Sequence, residues 1–237
     1  VGVTHPVAVL GGTGYVAGEF MRLLAGHPQL ALAAVSSESQ AGKPIAATFA
    51  NLAGAFGDAQ FCDEAGLEAA VRDGRVRALF CAAPHGAAAG RVDALLQVAA
   101  AAGVTLTVVD ASADFRFRDP AAYAKVYGHA HACPQRLAEF ASALPEHLAG
   151  TPAPHVGHPG CFVTSVLLGI VPLLRAGLAE PEFFVSAITG STGAGRKLGE
   201  GTHHPVRHAN LFAYQPLTHR HRPEIEQLAA EAAAPCQ

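Results

Sequence analysis

The sequence predicts an α/β protein in which a doubly wound parallel sheet is followed by a smaller α+β domain. Strand-like and helix-like segments alternate through the first half of the chain. A glycine-rich turn follows the first of these strands, at residues 11–18, and four prolines and three glycines interrupt the pattern at 144–160. Such alternation is typical of right-handed βαβ units, whose parallel sheet is covered by helices on both faces.

Short apolar runs predict the strands of the first domain, and apolar residues spaced three or four apart predict its helices. The first helix, for example, places Ala17, Phe20, Met21 and Leu24 on one face. The predicted strands are 7–10, 30–35, 77–83 and 104–110. One predicted helix follows the glycine turn, and two others cover 67–74 and 86–103.

The proline-rich stretch marks a domain boundary, and we predict domains at 1–150 and 151–237. The second domain contains an uncharged run after Cys161, a strand at 183–189 and a helix from about Pro223. These elements begin an α+β domain. We expect that domain to be incomplete, because the sequence ends before such a domain is normally finished.

Composition excludes several classes of function. Half of the 237 residues are apolar and 15% are charged, as in a globular protein. The formal charge of −3 provides no basic surface for nucleic acid or an anionic membrane. The uncharged run after Cys161 is too short to span a bilayer. Five cysteines without CxxC spacing indicate neither a disulfide framework nor a zinc ribbon, so we expect reduced thiols and a cytoplasmic protein.

The turn GGTGYVAG at residues 11–18 indicates dinucleotide binding rather than a plain glycine turn. Gly12, Gly14 and Ala17 match G-x-G-x-x-G/A, which combines a tight turn, close approach of the backbone to a pyrophosphate and close helix–strand packing. The start of the following helix adds N–H groups and a positive dipole end. The predicted cofactor contacts of this Rossmann-type turn are Gly11, Gly12, Thr13, Gly14, Tyr15 and Val16.

The end of the second strand is expected to contact the adenosine ribose. It reads Ser36, Ser37 and Glu38, with Lys43 beyond. The two hydroxyls suit the 2′-phosphate of NADP, whereas Glu38 could bond the free 2′-hydroxyl of NAD and repel that phosphate. We favour NADP on this pattern.

The sequence alone leaves two interpretations of Cys161 open. Most cysteines are small buried hydrophobic residues. A thiol at a helix N-terminus, however, meets a positive dipole end that favours the nucleophilic thiolate, and Pro159 and Gly160 predict such a helix start at Cys161.

A histidine pair at 219–221 provides a candidate acid–base group. His219 and His221 precede Pro223, whose fixed φ suits a helix start, and Glu224 lies in the first turn. A carboxylate beside a histidine can hold the ring in one tautomer, as a general acid–base needs. Two surface histidines are the alternative interpretation.

Three other polar stretches are weaker candidates. The loop TGSTGAGR at 189–196 suits a cofactor or an anion, and Arg116 follows a strand at the edge where doubly wound sheets bind ligands. HHPVRH at 203–208 lacks a cysteine or a carboxylate at ligand spacing, so we predict a polar substrate or interface loop and no metal site.

Taken together, these motifs resemble the N-acetyl-gamma-glutamyl-phosphate reductases of the aspartate-semialdehyde dehydrogenase superfamily. The resemblance extends through most of the chain. It is carried in order by GGTGYVAGE, AAPHGA, VVDASADFR, LPE, HPGCFVT, TGSTGAGRK and HRHRPEIEQ. The Pro-Gly-Cys and His-Arg-His-x-Pro-Glu-Ile elements are specific to such reductases, whereas many enzymes share the glycine fingerprint.

The resemblance implies an NADP-binding Rossmann domain, an α+β catalytic and dimerisation domain, and a homodimer or homotetramer. It implies that Cys161 attacks an acyl phosphate, that NADPH delivers hydride to the thioacyl group, and that His221 acts as acid–base with His219 and Glu224 nearby. By position, it further implies cofactor contacts at Pro84 and Gly193 and substrate contacts at Ser112, Arg116 and Arg196.

Three features depart from the family pattern. Glu38 stands where relatives often carry a basic residue, and relatives run considerably longer. His158 and residues 200–217 resemble a branch whose substrates are tethered to an amino-group carrier protein in lysine or arginine synthesis. The alternatives are therefore a carrier-bound aminoadipyl or glutamyl phosphate as substrate, with a small acidic carrier protein as partner, and a non-catalytic dinucleotide-binding regulator.

Overall fold

A six-stranded parallel sheet confirms the fold class predicted for the first domain. The computed structural model describes residues 4–148 and 153–233. The strand order is β2-β1-β3-β4-β6-β5, and every pair is parallel. The strands are β1 (His5–Leu10), β2 (Leu30–Ser36), β3 (Ala78–Cys81), β4 (Thr107–Asp110), β5 (Phe140–Ala141) and β6 (His155–Gly157).

Helices cover both faces of this sheet, as a doubly wound fold requires. They are α1 (Tyr15–Ala25), α2 (Ile45–Thr48), α3 (Glu64–Arg72), α4 (Ala88–Ala101) and α5 (Pro120–Tyr127). Successive residues of a strand point to opposite faces. Ala8 and Leu10 therefore pack in one cluster with α3 and α4, whereas Val9 packs in another with α1.

The described chain divides into two compact units. Residues 4–142 and 153–158 form the first, and residues 143–148 and 159–233 form the second. The boundary predicted at 150/151 lies outside the described residues. The short strand β6, on the far side of that boundary, belongs to the first unit because it pairs with β4 and β5.

The second unit is built on two packed helices. Its helices are α6 (Cys161–Arg175), α7 (His204–Arg207) and α8 (Arg222–Ala233). Val163, Leu167 and Val171 lie on one face of α6 and pack with Leu228 and Ala229 of α8. Among the described residues, no helix is long and apolar enough to cross a membrane.

The strand predicted at 183–189 is wrong for this structure, because the segment has no regular secondary structure. Phe184 is 94% exposed and Ile188 is 78% exposed, so the apolar side chains that suggested a strand lie in solvent. A strand exists only where its backbone pairs with a neighbour. Within the described part of the second unit no other strand is present to pair with it.

A buried polar turn after β4 holds three elements of the first unit together. The Asp114 carboxylate accepts hydrogen bonds from Gly86 N at 2.8 Å and Ala89 N at 3.0 Å, where α4 begins, and from Tyr123 Oη of α5 at 3.0 Å. Ser112 Oγ donates to Asp110 Oδ2 at 2.6 Å and accepts from Asp114 N at 3.0 Å. Burial raises the pKa of Asp110 to about 6, although hydrogen bonds from Ser112 and Cys81 oppose that rise.

We expect Asp110 to make the folded protein less stable as the pH rises from 4 to 6. The unfolded chain releases this proton near pH 4, whereas the folded chain holds it until about pH 6, so folding takes up a proton within that window. Asp110→Asn removes the effect. The free energy of unfolding of the variant minus that of the wild type should rise by about 3 kcal/mol across the window.

Urea unfolding at a series of pH values measures this difference. Asp58→Asn, at an exposed carboxylate, is the matched control, and its difference from the wild type should stay flat. A flat difference for Asp110→Asn as well contradicts the prediction.

Candidate functional site

The glycine turn of the first unit is shaped to approach a dinucleotide closely. Gly11 has φ +76°, and a Cβ there would lie 2.8 Å from Ala83 N. A Cβ at Gly12 would lie 2.2 Å from Val35 Cγ2, so both positions exclude a side chain. A Cβ at Gly14 would meet nothing within 4 Å, which leaves open space at the start of α1.

The first turn of α1 suits a pyrophosphate. Gly14 is its N-cap and provides no side-chain hydrogen bond, and the first turn carries no acidic residue. Tyr15 and Val16 are 42% and 56% exposed there, next to Thr13 in the turn. Backbone N–H groups at a helix start bind anions when no side chain caps them. The residues present therefore fit the predicted dinucleotide.

The structure gives Glu38 a role that the sequence analysis missed. Its Oε1 accepts a hydrogen bond from Glu64 N at 2.7 Å, and Glu64 is the first residue of α3. The carboxylate therefore caps a helix start rather than standing ready for the ribose. Ser36 and Ser37 are buried at the end of β2, and Ser37 Oγ lies 3.4 Å from Ser39 Oγ. The hydroxyls of Ser36 and Ser37 remain the predicted contacts of the adenosine ribose.

Pro84 and Ser112 lie at the carboxyl edge of the same sheet. Pro84 is exposed just beyond β3, where ligands of doubly wound sheets bind. Ser112, predicted to contact substrate, is 1% exposed, and its hydroxyl is engaged with Asp110 and Asp114. In this structure Ser112 therefore shapes the loop.

Arg116, the other predicted substrate contact of this edge, is also buried. Its Nε donates to His158 O at 2.8 Å, and its guanidinium also donates to Ala111 O at 2.8 Å. The side chain therefore joins the turn after β4 to the segment that leads towards Cys161. This contact orders the backbone whether or not the guanidinium also binds an anion.

In the second unit, Cys161 is an exposed thiol at the first residue of α6. Gly160 is the N-cap, with extended backbone and no side-chain cap. Cys62 is half-buried, and Cys81 and Cys133 are buried. Within the described chain, exposure and a helix N-terminus therefore coincide at Cys161, as expected for a nucleophile.

Glu224 supports the backbone immediately before this thiol. Its side chain is fully buried in the first turn of α8, and its Oε1 accepts a hydrogen bond from Gly160 N at 2.8 Å. The predicted carboxylate is thus brought to the cysteine segment, 64 residues away in sequence. It fixes the position of the N-cap of α6.

The two predicted histidines pack beside the same helix start. The rings of His219 and His221 lie 4.7 Å apart, and both meet the ring of Phe162 edge-on, at 5.3 Å and 6.1 Å. His221 N donates to His219 Nδ1 at 3.1 Å. Burial, and then the positive charge of Arg220, lower the pKa of His219. His221 is buried, whereas His219 is partly exposed.

Tyr214 is a member of this group that the sequence analysis missed. Its Oη lies 3.5 Å from His219 Nε2. Burial, and then the negative charge of Cys161, raise the pKa of Tyr214. It stands in an irregular segment without a motif, so no sequence signal pointed to it.

Gly193 and Arg196 lie on an exposed loop of the second unit, whereas the loop predicted at 203–208 is wrong in part, because residues 204–207 form the short helix α7, which ends at the partly exposed Arg207. Gly193 N donates to Gly190 O at 3.1 Å, and Arg196 follows on the same exposed loop. Arg207 lies 5.0 Å from the ring centre of Phe212. Among the described residues, no group of three or more His, Cys, Asp or Glu side chains is placed to hold a metal ion.

The fold and these residues define a class, an α/β protein with a Rossmann-type dinucleotide domain and an exposed thiol in its second unit. The family model "Semialdehyde dehydrogenase, NAD binding domain" matches residues 6–161, and "Semialdehyde dehydrogenase, dimerisation domain" matches residues 161–236. The chain belongs to the semialdehyde dehydrogenase family.

Similar curated proteins carry two names. A LysW-L-2-aminoadipate 6-phosphate reductase of Deinococcus radiodurans is 39% identical over 93% of this chain and 61% of its own length. An N-acetyl-gamma-glutamyl-phosphate reductase of Nitrosococcus oceani is 40% identical over 93% of this chain and 62% of its own length. The chain thus spans about three fifths of these relatives. Relatives of the second name confirm the resemblance drawn from the motifs.

The solved structure of an aspartate semialdehyde dehydrogenase from Candida albicans with NADP is also similar. It has a TM-score of 0.45 and 17% identity over 74% of this chain and 48% of that chain.

We expect substitutions of Glu38 to affect α3 more than the choice of coenzyme. Glu38→Ala removes the acceptor of Glu64 N but leaves the N-cap Asp63, which accepts from Gly66 N, and should lower the free energy of unfolding by about 1 kcal/mol. Glu38→Gln keeps an acceptor and should stay near the wild type. Because the carboxylate bonds Glu64 N, the ratio of NADPH to NADH affinity should change by less than about threefold in either variant.

Fluorescence titration with each coenzyme measures that ratio, and urea unfolding measures stability. A tenfold loss of NADH affinity in Glu38→Gln would show that the carboxylate binds the ribose after all.

We expect Glu224 to act on Cys161 through the position of the backbone. Glu224→Ala leaves the buried Gly160 N–H without this acceptor and should cost about 1–3 kcal/mol of stability. It should also slow alkylation of Cys161. Glu224→Gln keeps an acceptor and should retain most of both properties. Urea unfolding and mass spectrometry of the alkylated Cys161 peptide give the two readouts.

Glu226→Ala is the matched control, because Glu226 lies on the same helix and pairs with Arg222 at the exposed surface. Equal losses in the Ala and Gln variants would show that the charge of Glu224, rather than its acceptor oxygen, is what matters.

Proposed function

We propose that this protein catalyses the NADPH-dependent reduction of N-acetyl-L-glutamyl 5-phosphate to N-acetyl-L-glutamate 5-semialdehyde and phosphate, in arginine biosynthesis. The observation that carries the proposal is the exposed Cys161 thiol at the start of α6, beside His219 and His221, with Glu224 bonded to the preceding backbone. Relatives named N-acetyl-gamma-glutamyl-phosphate reductase support the substrate.

Cys161 is the proposed nucleophile. Its thiolate attacks the acyl carbon, the bond between that carbon and the phosphate oxygen breaks, and phosphate leaves with the electron pair. The product is a thioester on Cys161. The positive end of α6 stabilises the attacking thiolate, and the Glu224 contact keeps that helix start in place.

His221 is the proposed acid–base of the second half of the reaction. NADPH, when bound, supplies the hydride that reduces the acyl group. The glycine turn would hold its pyrophosphate, and Ser37 would lie towards its ribose phosphate. His221 would donate a proton to the acyl oxygen when the hydride is transferred. It would take that proton back when the carbon–sulfur bond breaks and the Cys161 thiolate is released. Arg116 and Arg196 remain candidates for holding phosphate or carboxylate.

The same chemistry on a carrier-bound aminoadipyl or glutamyl phosphate is the second candidate. Relatives named LysW-L-2-aminoadipate 6-phosphate reductase support it. Arg196 and Lys197, which are exposed on one loop, suit a small acidic carrier. The dimerisation-domain match supports a homodimer or homotetramer in either case. A cytoplasmic location remains a prediction.

A non-catalytic dinucleotide-binding regulator is the remaining alternative. It would need no exposed thiol at a helix start and no histidine pair beside it. The packing of both histidines on Phe162, the residue after the exposed Cys161, favours an enzyme.

A coupled assay of the purified chain tests the proposal. With the free acetylated acyl phosphate, NADPH oxidation should release one phosphate per turnover, and Cys161→Ser should lower kcat by about a thousandfold or more. Cys62→Ser, whose hydroxyl can replace the Cys62 thiol as the donor to Val35 O, is the matched control and should leave turnover unchanged.

The outcome separates the candidates. Turnover only with a carrier-bound substrate selects the second candidate, and NADPH binding without turnover on either substrate selects the regulator. Wild-type turnover in Cys161→Ser would exclude the thiol as nucleophile.

A further inference from the structure

Two histidines of the second unit lie one helical turn apart on α7. His204 is the first residue of this helix, and His208 is the residue that follows its last turn. His208 N donates to His204 O at 2.8 Å, which is the backbone bond between residues four apart in an α-helix. Residues at this spacing lie on the same face of a helix, so the two side chains are neighbours. His203 is the N-cap and stands outside this pair.

The separation of the two rings fits a shared zinc ion. The ring centres of His204 and His208 are 5.3 Å apart, and their planes are inclined by 51°, so the rings do not stack face to face. A zinc–nitrogen bond of about 2.0–2.1 Å places the centre of an imidazole about 3.2 Å from the metal. Two such rings are about 5.2 Å apart at the tetrahedral angle and about 4.5 Å apart at a right angle. The observed distance therefore matches tetrahedral coordination, which is the geometry of zinc.

Both rings are available to a metal ion. His204 and His208 are exposed, and within the described chain no hydrogen bond or ion pair engages their ring nitrogens. Arg207 carries the positive charge nearest to them in sequence. Its guanidinium lies over the ring of Phe212, 5.0 Å from the ring centre, and this contact engages the charge with an aromatic face. Neutral imidazole is the nitrogen ligand that zinc prefers in proteins.

We propose that His204 and His208 form a surface site for a zinc ion, with both imidazoles as ligands and water in the two remaining positions. The sequence analysis assigned no metal site to HHPVRH, because the stretch lacks a cysteine or a carboxylate at ligand spacing. The helical turn supplies a second imidazole instead. Two protein ligands are fewer than the three or four of catalytic and structural zinc sites, so the bound ion exchanges more readily than in those sites.

Zinc titration of the full 237-residue chain against a chromophoric chelator tests the proposal. The exposed Cys161 thiol is alkylated beforehand, so that it does not bind the metal. The wild type should bind one zinc ion per chain with saturation. His204→Ala and His208→Ala should each weaken this binding about tenfold or more, because the first imidazole then no longer holds the ion at a high effective concentration near the second.

His203→Ala is the matched control, because it removes an exposed histidine from the same stretch without touching the pair. Its zinc affinity should equal that of the wild type. The variant that lacks both His204 and His208 should bind zinc within about threefold of either single variant, since each single change already breaks the two-ligand site. Circular dichroism checks that every variant keeps the fold.

Wild-type affinity in either single variant overturns the proposal, as does a wild type without saturable zinc binding. A tenfold loss in His203→Ala overturns it too, because the metal would then lie on the adjacent histidine. If one single variant fails to fold, the other gives the same test. The titration needs neither coenzyme nor acyl phosphate, so its result is independent of the proposed reductase activity.

Discussion

The loops at the carboxyl edge of the sheet depend on one buried carboxylate, that of Asp114. Loops between parallel strands and helices leave backbone N–H groups without ladder partners, and such groups are costly to bury unpaired. Asp114 accepts two of them at the start of α4 and the hydroxyl of Tyr123 from α5. It thereby holds together the edge at which ligands of this fold bind. The glycine turn lies at the same edge, and its Gly12 N donates to Ser36 O at 2.8 Å.

In the second unit, too, a buried carboxylate accepts a hydrogen bond from a backbone N–H group that has no strand partner. The N-cap of α6 is a glycine, which has no side chain to satisfy the helix start, and Glu224 of α8 provides an acceptor for its N–H. In both units a carboxylate brought from a distant segment fixes a loop, and a predicted site residue, Pro84 in the first unit and Cys161 in the second, lies on or directly beside that loop. Both contacts are therefore part of the folded chain itself.

Local signals were sufficient to predict much of this architecture. The glycine pattern, the buried strands and the helix start at Cys161 are all readable within about ten residues, and the structure forms each of them. The predicted partners of Cys161 were also brought together at the start of α8. The apolar run at 183–189 misled because apolar content alone does not supply a neighbouring strand.

The features that the sequence did not reveal share a cause. Asp114 meets Gly86 from 28 residues away, and Glu38 meets Glu64 from 26. Tyr214 lies near His219 but in a segment without periodicity. A carboxylate near a loop has many possible partners in sequence terms, and only the tertiary fold selects one. Arg116 is the clearest case, because a charge expected to meet substrate is buried against backbone carbonyls.

The cap formed by Glu38 also limits how coenzyme preference can change in this lineage. The residue after the second strand of a Rossmann-type domain is where selection for NAD or NADP usually acts. Here the same side chain bonds the first residue of α3, so a basic replacement that attracts a ribose phosphate also removes an acceptor from a helix start. The N-cap Asp63 still accepts from Gly66 N after such a replacement, so α3 keeps one of its two side-chain acceptors. A substitution at position 38 made to change coenzyme preference therefore also carries a cost in the stability of α3.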